Sequence, residues 1–86
     1  MSDLAAPDDD RRPARVYDRV ADDLAQRIRS GELSPGTRLR SERELAGHYG
    51  IAYATMRKAM QLLRERGYIR TVHGEGTFVQ PESEWP

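Results

Sequence analysis

Apolar residues near the start of the chain recur at intervals of three and four, which is the spacing of one face of an α-helix. The members of this stripe are Tyr17, Val20, Ala21, Leu24 and Ile28. They predict a first helix over residues 15–30, which Gly31 ends. Asp23 and Arg27 have the spacing of a supportive ion pair within this helix. The polar face opposite the stripe is expected to face solvent, and it carries Asp18, Asp22, Gln26 and Arg29.

A second helix is indicated by the sequence SERE at residues 41–44, which fits a capping box. In this motif the Ser41 hydroxyl accepts a hydrogen bond from the backbone of residue 44, while the Glu44 carboxylate accepts one from the backbone of residue 41. A turn at Pro35-Gly36 and a short extended piece over residues 37–39 precede this helix. Its inward residues, before Gly50 ends it, are Leu45, Ala46 and Tyr49.

A third apolar stripe follows after a connector of only Ile51 and Ala52, which is typical of a helix-turn-helix. Its members are Met56, Ala59, Met60 and Leu63. They predict a third helix over residues 53–66, with Gly67 as its stop. Methionines in a stripe either fill a core or line a ligand-binding surface, and core filling is the commoner use. The helix starts unusually, because Ala52 and Tyr53 occupy the place of the normal Ser, Thr, Asp or Asn cap.

Two segments rich in β-branched and aromatic residues, 68–72 and 77–80, flank the loop at residues 73–76 and predict a β-hairpin. A glycine-rich loop that cradles a phosphate needs a following helix, whereas a strand follows here, so we assign these glycines to turn geometry. The predicted fold class is therefore mainly α with a small β-hairpin (α+β). Its architecture is a winged helix-turn-helix, with three helices and a two- to three-stranded antiparallel wing.

The chain of 86 residues has room for one small domain, which we place at residues 14–80. Residues 1–13 are expected to form a flexible acidic tail, and residues 81–86 a polar C-terminal tail in which Trp85 is either loose or packed on the domain. Cysteine is absent, no apolar run approaches the roughly 18 residues of a membrane span, and the N-terminus lacks a secretion signal. We expect a cytoplasmic protein without membrane attachment.

Charge is distributed unevenly along the chain although its formal net value is zero. Residues 1–10 carry four acids and no base, whereas residues 38–74 carry eight bases and three acids. Such a basic segment either solvates a surface or binds a polyanion. The sequence does not favour an enzyme. Its two histidines lack the spacing of metal ligands, it has no cysteine, and no serine is placed with a base, so it offers no catalytic or metal site. We expect no enzyme activity and no cofactor.

A winged helix-turn-helix places its third helix in the major groove, the start of its second helix over the phosphates and its hairpin tip at the minor groove. Arg57 can then donate two hydrogen bonds to guanine, Lys58 suits a phosphate, and Gln61 can read adenine. Thr55 can bond a phosphate or touch a thymine methyl group, and Ala54 shares the same outward face.

Seven motifs in a shared order and spacing carry a resemblance to a known family. They are Tyr17, IRSGELSPGTRL, SERELA, Gly50-Ile51, TMRKAM with Leu63, Gly67-Tyr68 followed by Ile69, and HGEGTFV. From Tyr17 to Val79 the chain resembles the DNA-binding domain of the GntR family of bacterial transcription regulators.

The resemblance implies that Arg43 contacts the DNA backbone or a guanine, that Arg57 reads a base and that Thr55 binds phosphate. It also implies a wing tip that meets DNA, formed by His73, Gly74, Gly76 and Thr77. Family members commonly have Ser or Thr and then Arg in place of Ala52 and Tyr53, so Tyr53 either meets DNA or packs on the surface. The full set of predicted DNA-binding residues is Arg40, Ser41, Arg43, Tyr53, Ala54, Thr55, Arg57, Lys58, Gln61, His73, Gly74, Gly76 and Thr77.

The expected function is sequence-specific binding of double-stranded DNA for transcriptional regulation, in the sense of repression. The resemblance implies a homodimer on an inverted-repeat operator in the intact protein, and we expect weak or monomeric behaviour of this chain alone. The family normally adds a larger C-terminal part, so the chain is either an isolated DNA-binding domain or a compact regulator. The alternative function is a winged-helix module that binds another regulatory protein.

Overall fold

The computed structural model describes residues 13–86, within which three α-helices precede a two-stranded antiparallel sheet and a short 3-10 turn. The elements are α1 (Pro13–Arg29), α2 (Glu42–Tyr49), α3 (Tyr53–Glu65), β1 (Ile69–Val72), β2 (Gly76–Val79) and the 3-10 turn (Glu82–Glu84). This order confirms the predicted winged helix-turn-helix. Pro13 is the first residue of α1, and the rest of the predicted N-terminal tail lies outside the described residues. In this part of the chain, no helix has the length and apolar character needed to cross a membrane.

The core forms where α1 and α2 pack against α3 and the hairpin closes one end. The four members of the α3 stripe are completely buried, and they are Met56, Ala59, Met60 and Leu63. The two methionines are therefore core residues, and the alternative of a ligand-binding surface is wrong. Burying each large apolar side chain contributes about 1.5–3 kcal/mol, so this stripe holds α3 in place and fixes its rotation.

Both ends of α2 are closed by hydrogen bonds within the chain, as its sequence predicts. The Ser41 hydroxyl accepts from the Glu44 backbone N–H at 3.1 Å, and the Glu44 carboxylate accepts from the Ser41 N–H at 3.3 Å. At the other end Gly50 adopts a left-handed conformation with φ 66°, and the N–H of Ile51 donates to the Ala46 carbonyl at 3.0 Å. A glycine suits this cap because it has no Cβ to clash.

The wing is one residue tighter than predicted. Gly76, expected in the loop, is the first residue of β2 and pairs with Val72, so the turn contains only residues 73–75. A third extended segment joins the sheet through a bridge between Arg38 and Phe78. The N–H of Leu39 donates to the Thr77 carbonyl at 2.8 Å. The predicted two- to three-stranded wing is thus confirmed.

Residues 81–86 pack on the domain through Trp85. The indole N–H of Trp85 donates to the Gln80 carbonyl at 3.0 Å, and its ring centroid lies 6.0 Å from that of the buried Tyr68. Gly67, with φ +87°, permits this arrangement, because a Cβ there would overlap the Glu84 carbonyl. Of the two alternatives for Trp85, packing is therefore the one observed.

The polar face of α1 is exposed, but it is not left wholly to solvent. Arg66 donates to Asp22 at 3.3 Å, and Arg29 donates to the hydroxyl of Tyr68. These contacts connect α1 to the end of α3 and the start of the hairpin, which lie at the opposite end of α3 from Tyr53.

Candidate nucleic-acid interface

The outward face of α3 carries a row of exposed polar and aromatic side chains. Its position follows from the buried stripe on the opposite side, which leaves little freedom in how the helix is rotated. The exposed members are the predicted residues Tyr53, Ala54, Arg57, Lys58 and Gln61. Thr55 is half-buried, which makes it less accessible than the sequence suggests.

The starts of α2 and α3 meet at the Tyr53 ring. The guanidinium carbon of Arg43 lies 4.4 Å from the centroid of this ring, and that of Arg57 lies 6.0 Å from it. Arg57 Nε is also 4.0 Å from a carboxylate oxygen of Glu42. The structure thus brings together two arginines from different helices and places an exposed aromatic ring beside both.

The first turn of α3 has no side-chain cap. Ala52 has the extended conformation of a capping residue, with φ −64° and ψ 145°, but its methyl group cannot accept a hydrogen bond. The first helical bond runs from the Met56 N–H to the Ala52 carbonyl at 3.0 Å. The backbone N–H groups of residues 53–55 therefore lie at an open, electropositive helix start, where an external anion can accept from them.

Arg40 and Ser41 lie on the rim of a hollow of about 390 Å³ between the start of α2 and the wing. Arg40 is well exposed and pairs with Glu44 at 3.2 Å, a surface ion pair that a stronger anion can replace. The Ser41 hydroxyl is already engaged in its own helix cap. Its predicted DNA contact therefore depends on a hydroxyl that can still donate while it accepts from Glu44.

Arg38 lines the same hollow, although it is not among the residues predicted to bind DNA. Its side chain lies along the wing against Gly76, where a Cβ would come within 2.8 Å of Arg38 Nε. Alternation offered a signal for this residue, because the buried Leu39 beside it in an extended segment directs Arg38 outward.

The wing tip exposes His73 and Gly74, as predicted, together with the acidic Glu75. Gly76 is half-buried, and so is Thr77, whose hydroxyl lies 3.1 Å from that of Thr71. The hydroxyl of Thr71 accepts from Arg64 Nε at 3.1 Å. Arg64, another residue that sequence reasoning missed, therefore connects α3 to the wing.

The charged groups behind this surface are paired with one another. The Tyr49 hydroxyl donates to Asp23 at 2.6 Å and Arg27 donates to it at 2.9 Å, as the predicted spacing implied, and these two hydrogen bonds hold the pKa of Asp23 below its ordinary value. Burial, together with the bond to Asp23, raises the pKa of Tyr49. The backbone and hydroxyl of Ser41 hold the pKa of Glu44 low.

Comparison with known proteins identifies the family to which the chain is similar. The model of the family described as bacterial regulatory proteins, gntR family, matches residues 16–79. The HTH-type transcriptional repressor NagR of Bacillus subtilis (strain 168) is 38% identical over 73 residues, which are 84% of this chain and 30% of NagR. The mannosyl-D-glycerate transport/metabolism system repressor MngR of Escherichia coli (strain K12) is 34% identical over 67 residues, which are 78% of this chain and 28% of MngR.

Among solved structures, the crystal structure of AraR(DBD) in complex with operator ORR3 is similar, with a TM-score of 0.68 and 33% identity. The match covers 73% of this chain and 76% of the AraR chain. By contrast, the chain spans less than a third of the length of the two repressors. The similarity to the two repressors is therefore confined to a segment of the size of one DNA-binding domain.

Proposed function

The chain belongs to the gntR family of bacterial regulatory proteins, and on that premise we propose that it binds specific sequences of double-stranded DNA to regulate transcription. The observation that carries the proposal is the junction of α2 and α3, where Arg43, Arg57 and the uncapped first turn of α3 share one exposed surface. Repression is the proposed direction, because NagR and MngR are named as repressors. Regulators of this family are not enzymes, and the cytoplasm is the proposed site of action.

In the proposed complex α3 lies in the major groove. Arg57 is the proposed reader of guanine, because its planar fork can donate to two acceptors on one base edge. Gln61 is placed one turn further along the same face and suits adenine, while Lys58 suits a phosphate. The exposure of all three side chains supports this assignment.

The phosphate backbone is the proposed partner of the residues at the start of both helices. Arg40, Ser41 and Arg43 lie at the start of α2, and the open N–H groups of residues 53–55 form a second anion-binding surface. The wing is proposed to reach the adjoining minor groove, with contacts from His73, Gly74, Gly76 and Thr77.

The intact protein is proposed to act as a homodimer on an inverted-repeat operator. The chain alone would supply one recognition module, and one such module buries about 600–1,000 Å² of protein surface on DNA. Its affinity as a monomer should therefore be modest, and the second module would supply the rest through effective concentration.

A fluorescence-anisotropy titration tests the proposal with a labelled duplex that the chain itself enriches from a randomised pool. A scrambled duplex of the same composition is the control. We expect tighter binding of the enriched duplex, and a log–log dependence of affinity on salt with a slope of about −0.9 per phosphate neutralised. Equal binding of both duplexes, or an affinity that salt leaves unchanged, would contradict the proposal and favour a protein partner.

A further inference from the structure

Tyr53 occupies an unusual position for an aromatic side chain. Within the described residues it is the one large hydrophobic side chain that is exposed, at 37% of its full area. It lies at the first position of α3, directly beside the first turn of α2. The exposed part of the ring is open to neighbouring charged groups, and its contacts with them add to what its partial burial contributes.

The contact with Arg43 is close enough for a cation–π interaction. The separation of 4.4 Å lies well inside the roughly 6 Å limit, and an interaction at an exposed site shifts a side-chain population by a factor of about 2–5. A guanidinium group stacked on a ring keeps its in-plane N–H donors free. Stacking therefore restricts where Arg43 points without using up its hydrogen bonds.

Arg57 is restrained near the same ring by a second partner. Its guanidinium lies 6.0 Å from the ring centroid, at the limit of a cation–π interaction, and Glu42 lies 4.0 Å from its Nε. Tyr53 is thus the group that both arginines share, and the contact to Arg43 is the shorter one.

We propose that Tyr53 is a positioning residue, whose ring orders the Arg43 guanidinium before DNA arrives. This inference rests on the proposed DNA binding and specifies how one arginine is prepared for it. An ordered side chain loses less conformational freedom on binding, so the ring raises affinity without contacting DNA itself. The phenolic hydroxyl has no part in this role, whereas the aromatic face is essential.

Two variants separate the ring from the bulk of the side chain. Tyr53→Phe keeps the aromatic face and removes the hydroxyl, while Tyr53→Leu keeps an apolar side chain and removes the face. Because Tyr53 is exposed, both variants should fold, and an amide NMR spectrum of each checks this. A third variant, Arg43→Ala, removes the guanidinium that the ring is proposed to order. Its matched control is Arg29→Ala, because the Arg29 guanidinium also lies over a tyrosine ring, that of Tyr68 at 5.7 Å, but away from the α2–α3 junction.

The first measurement uses the free protein. Ring currents should shift the Arg43 side-chain protons upfield in the parent and in Tyr53→Phe, and the shift should disappear in Tyr53→Leu. Relaxation of the Arg43 Nε–H group should show faster motion in Tyr53→Leu alone. Arg43 protons that resonate alike in the parent and in Tyr53→Leu would overturn the inference.

The second measurement repeats the duplex titration with the enriched and scrambled DNA. We expect Tyr53→Phe to bind as tightly as the parent, and Tyr53→Leu to bind the enriched duplex about 2- to 5-fold more weakly, the limit set by the shift in the Arg43 side-chain population. In the Arg43→Ala background, Tyr53→Leu should have almost no further effect. Equal losses in Tyr53→Phe and Tyr53→Leu, or fully additive losses, would overturn the inference.

The two proposals can fail separately. If the parent discriminates between the duplexes and Tyr53→Leu binds the enriched duplex as tightly as the parent does, the role of Tyr53 is wrong and the proposed function stands. If the parent binds neither duplex, the proposed function fails, and the positioning role fails with it.

Discussion

The two helices of the helix-turn-helix begin in opposite ways. At the start of α2, the side chains of Ser41 and Glu44 each accept a hydrogen bond from the other's backbone N–H. By contrast, α3 begins after Ala52 without any side-chain cap. A capped helix start gains stability from local hydrogen bonds, while an uncapped one depends on packing. The cap of α2 therefore contributes to its stability, whereas α3 depends on the packing of its buried stripe, and we expect its uncapped first turn to be where the proposed DNA phosphate binds.

The same contrast holds for charge. Around α2 the acids have partners, with Asp23 held by Tyr49 and Arg27, and Glu44 held by its own helix cap. At the start of α3, by contrast, Arg57 and the α2 residue Arg43 lie beside one exposed ring. We therefore expect substitutions of the paired groups, such as Ser41 and Tyr49, to lower stability, and substitutions of Arg43 and of the outer face of α3 to weaken DNA binding.

The largest effect is expected from the buried face of α3, because packing is what holds this helix. Leu63→Ala should lower the free energy of unfolding by about 2–5 kcal/mol, since the side chain is fully buried. Urea unfolding followed by circular dichroism measures this. Leu62→Ala is the matched control at a half-buried neighbour and should cost clearly less. Equal losses of unfolding free energy at both positions would mean that the buried stripe does not hold α3 in place.

Arg57→Ala should separate binding from stability. Loss of a bidentate base contact should weaken specific duplex binding by roughly 1–3 kcal/mol, and the unfolding free energy should stay within about 0.5 kcal/mol of the parent. Anisotropy and urea unfolding measure the two quantities. Arg66→Ala removes the same charge at the other end of α3, where Arg66 pairs with Asp22, and should spare specific binding. If both variants bind alike, α3 is not the reading helix.

Removing the cap of α2 and adding a cap to α3 should shift stability in opposite directions. Ser41→Ala should destabilise the protein by about 1 kcal/mol, and Ala52→Asp should stabilise it by about 0.5–1 kcal/mol by capping α3. Ala52→Asp should also weaken duplex binding, because its carboxylate competes with DNA phosphate for the same N–H groups. Ala52→Asn offers a similar cap without charge and should weaken binding less. Unchanged binding in both Ala52 variants would show that the open helix start does not meet DNA.

The smallest expected effect concerns pH. The pKa of Asp23 in the folded state lies below its ordinary value of 3.8, so its contribution to stability is present above about pH 4 and is lost as the pH falls below it. Tyr49→Phe removes the largest cause of this shift. The parent should therefore exceed Tyr49→Phe in stability more at pH 7 than at pH 3, by less than about 1 kcal/mol because the pair is only partly buried. Urea unfolding at both values measures the difference, and an equal gap at both would contradict this account of Asp23.

Local sequence patterns predicted the fold well, and tertiary contacts explain what they missed. The stripe at helical spacing fixed the buried face of α3, and the SERE motif predicted the cap at Ser41. The contact between Arg43 and Tyr53 depends on how two helices cross, which periodicity does not contain. The approach of Arg38 to Gly76 depends on strand register, which long-range pairing decides.

The sequence therefore predicted which face of α3 is exposed, but not the contacts that its side chains make. Exposure of Arg57 and Lys58 followed from the stripe on the opposite side of α3. In the folded chain, Ser41 already accepts a hydrogen bond in its helix cap and Thr55 is half-buried. Both facts depend on what each side chain contacts in three dimensions, which the sequence pattern does not show.

An amide NMR titration of the chain with its enriched duplex tests whether the junction of α2 and α3 binds DNA. We expect shifts to cluster at residues 40–43, 53–61 and 73–77, with smaller changes for a scrambled duplex. The amides of residues 53–55 should move strongly, because their N–H groups are proposed to meet phosphate. Shifts confined to α1 and to residues 81–86, with the junction of α2 and α3 unchanged, would contradict the proposed interface.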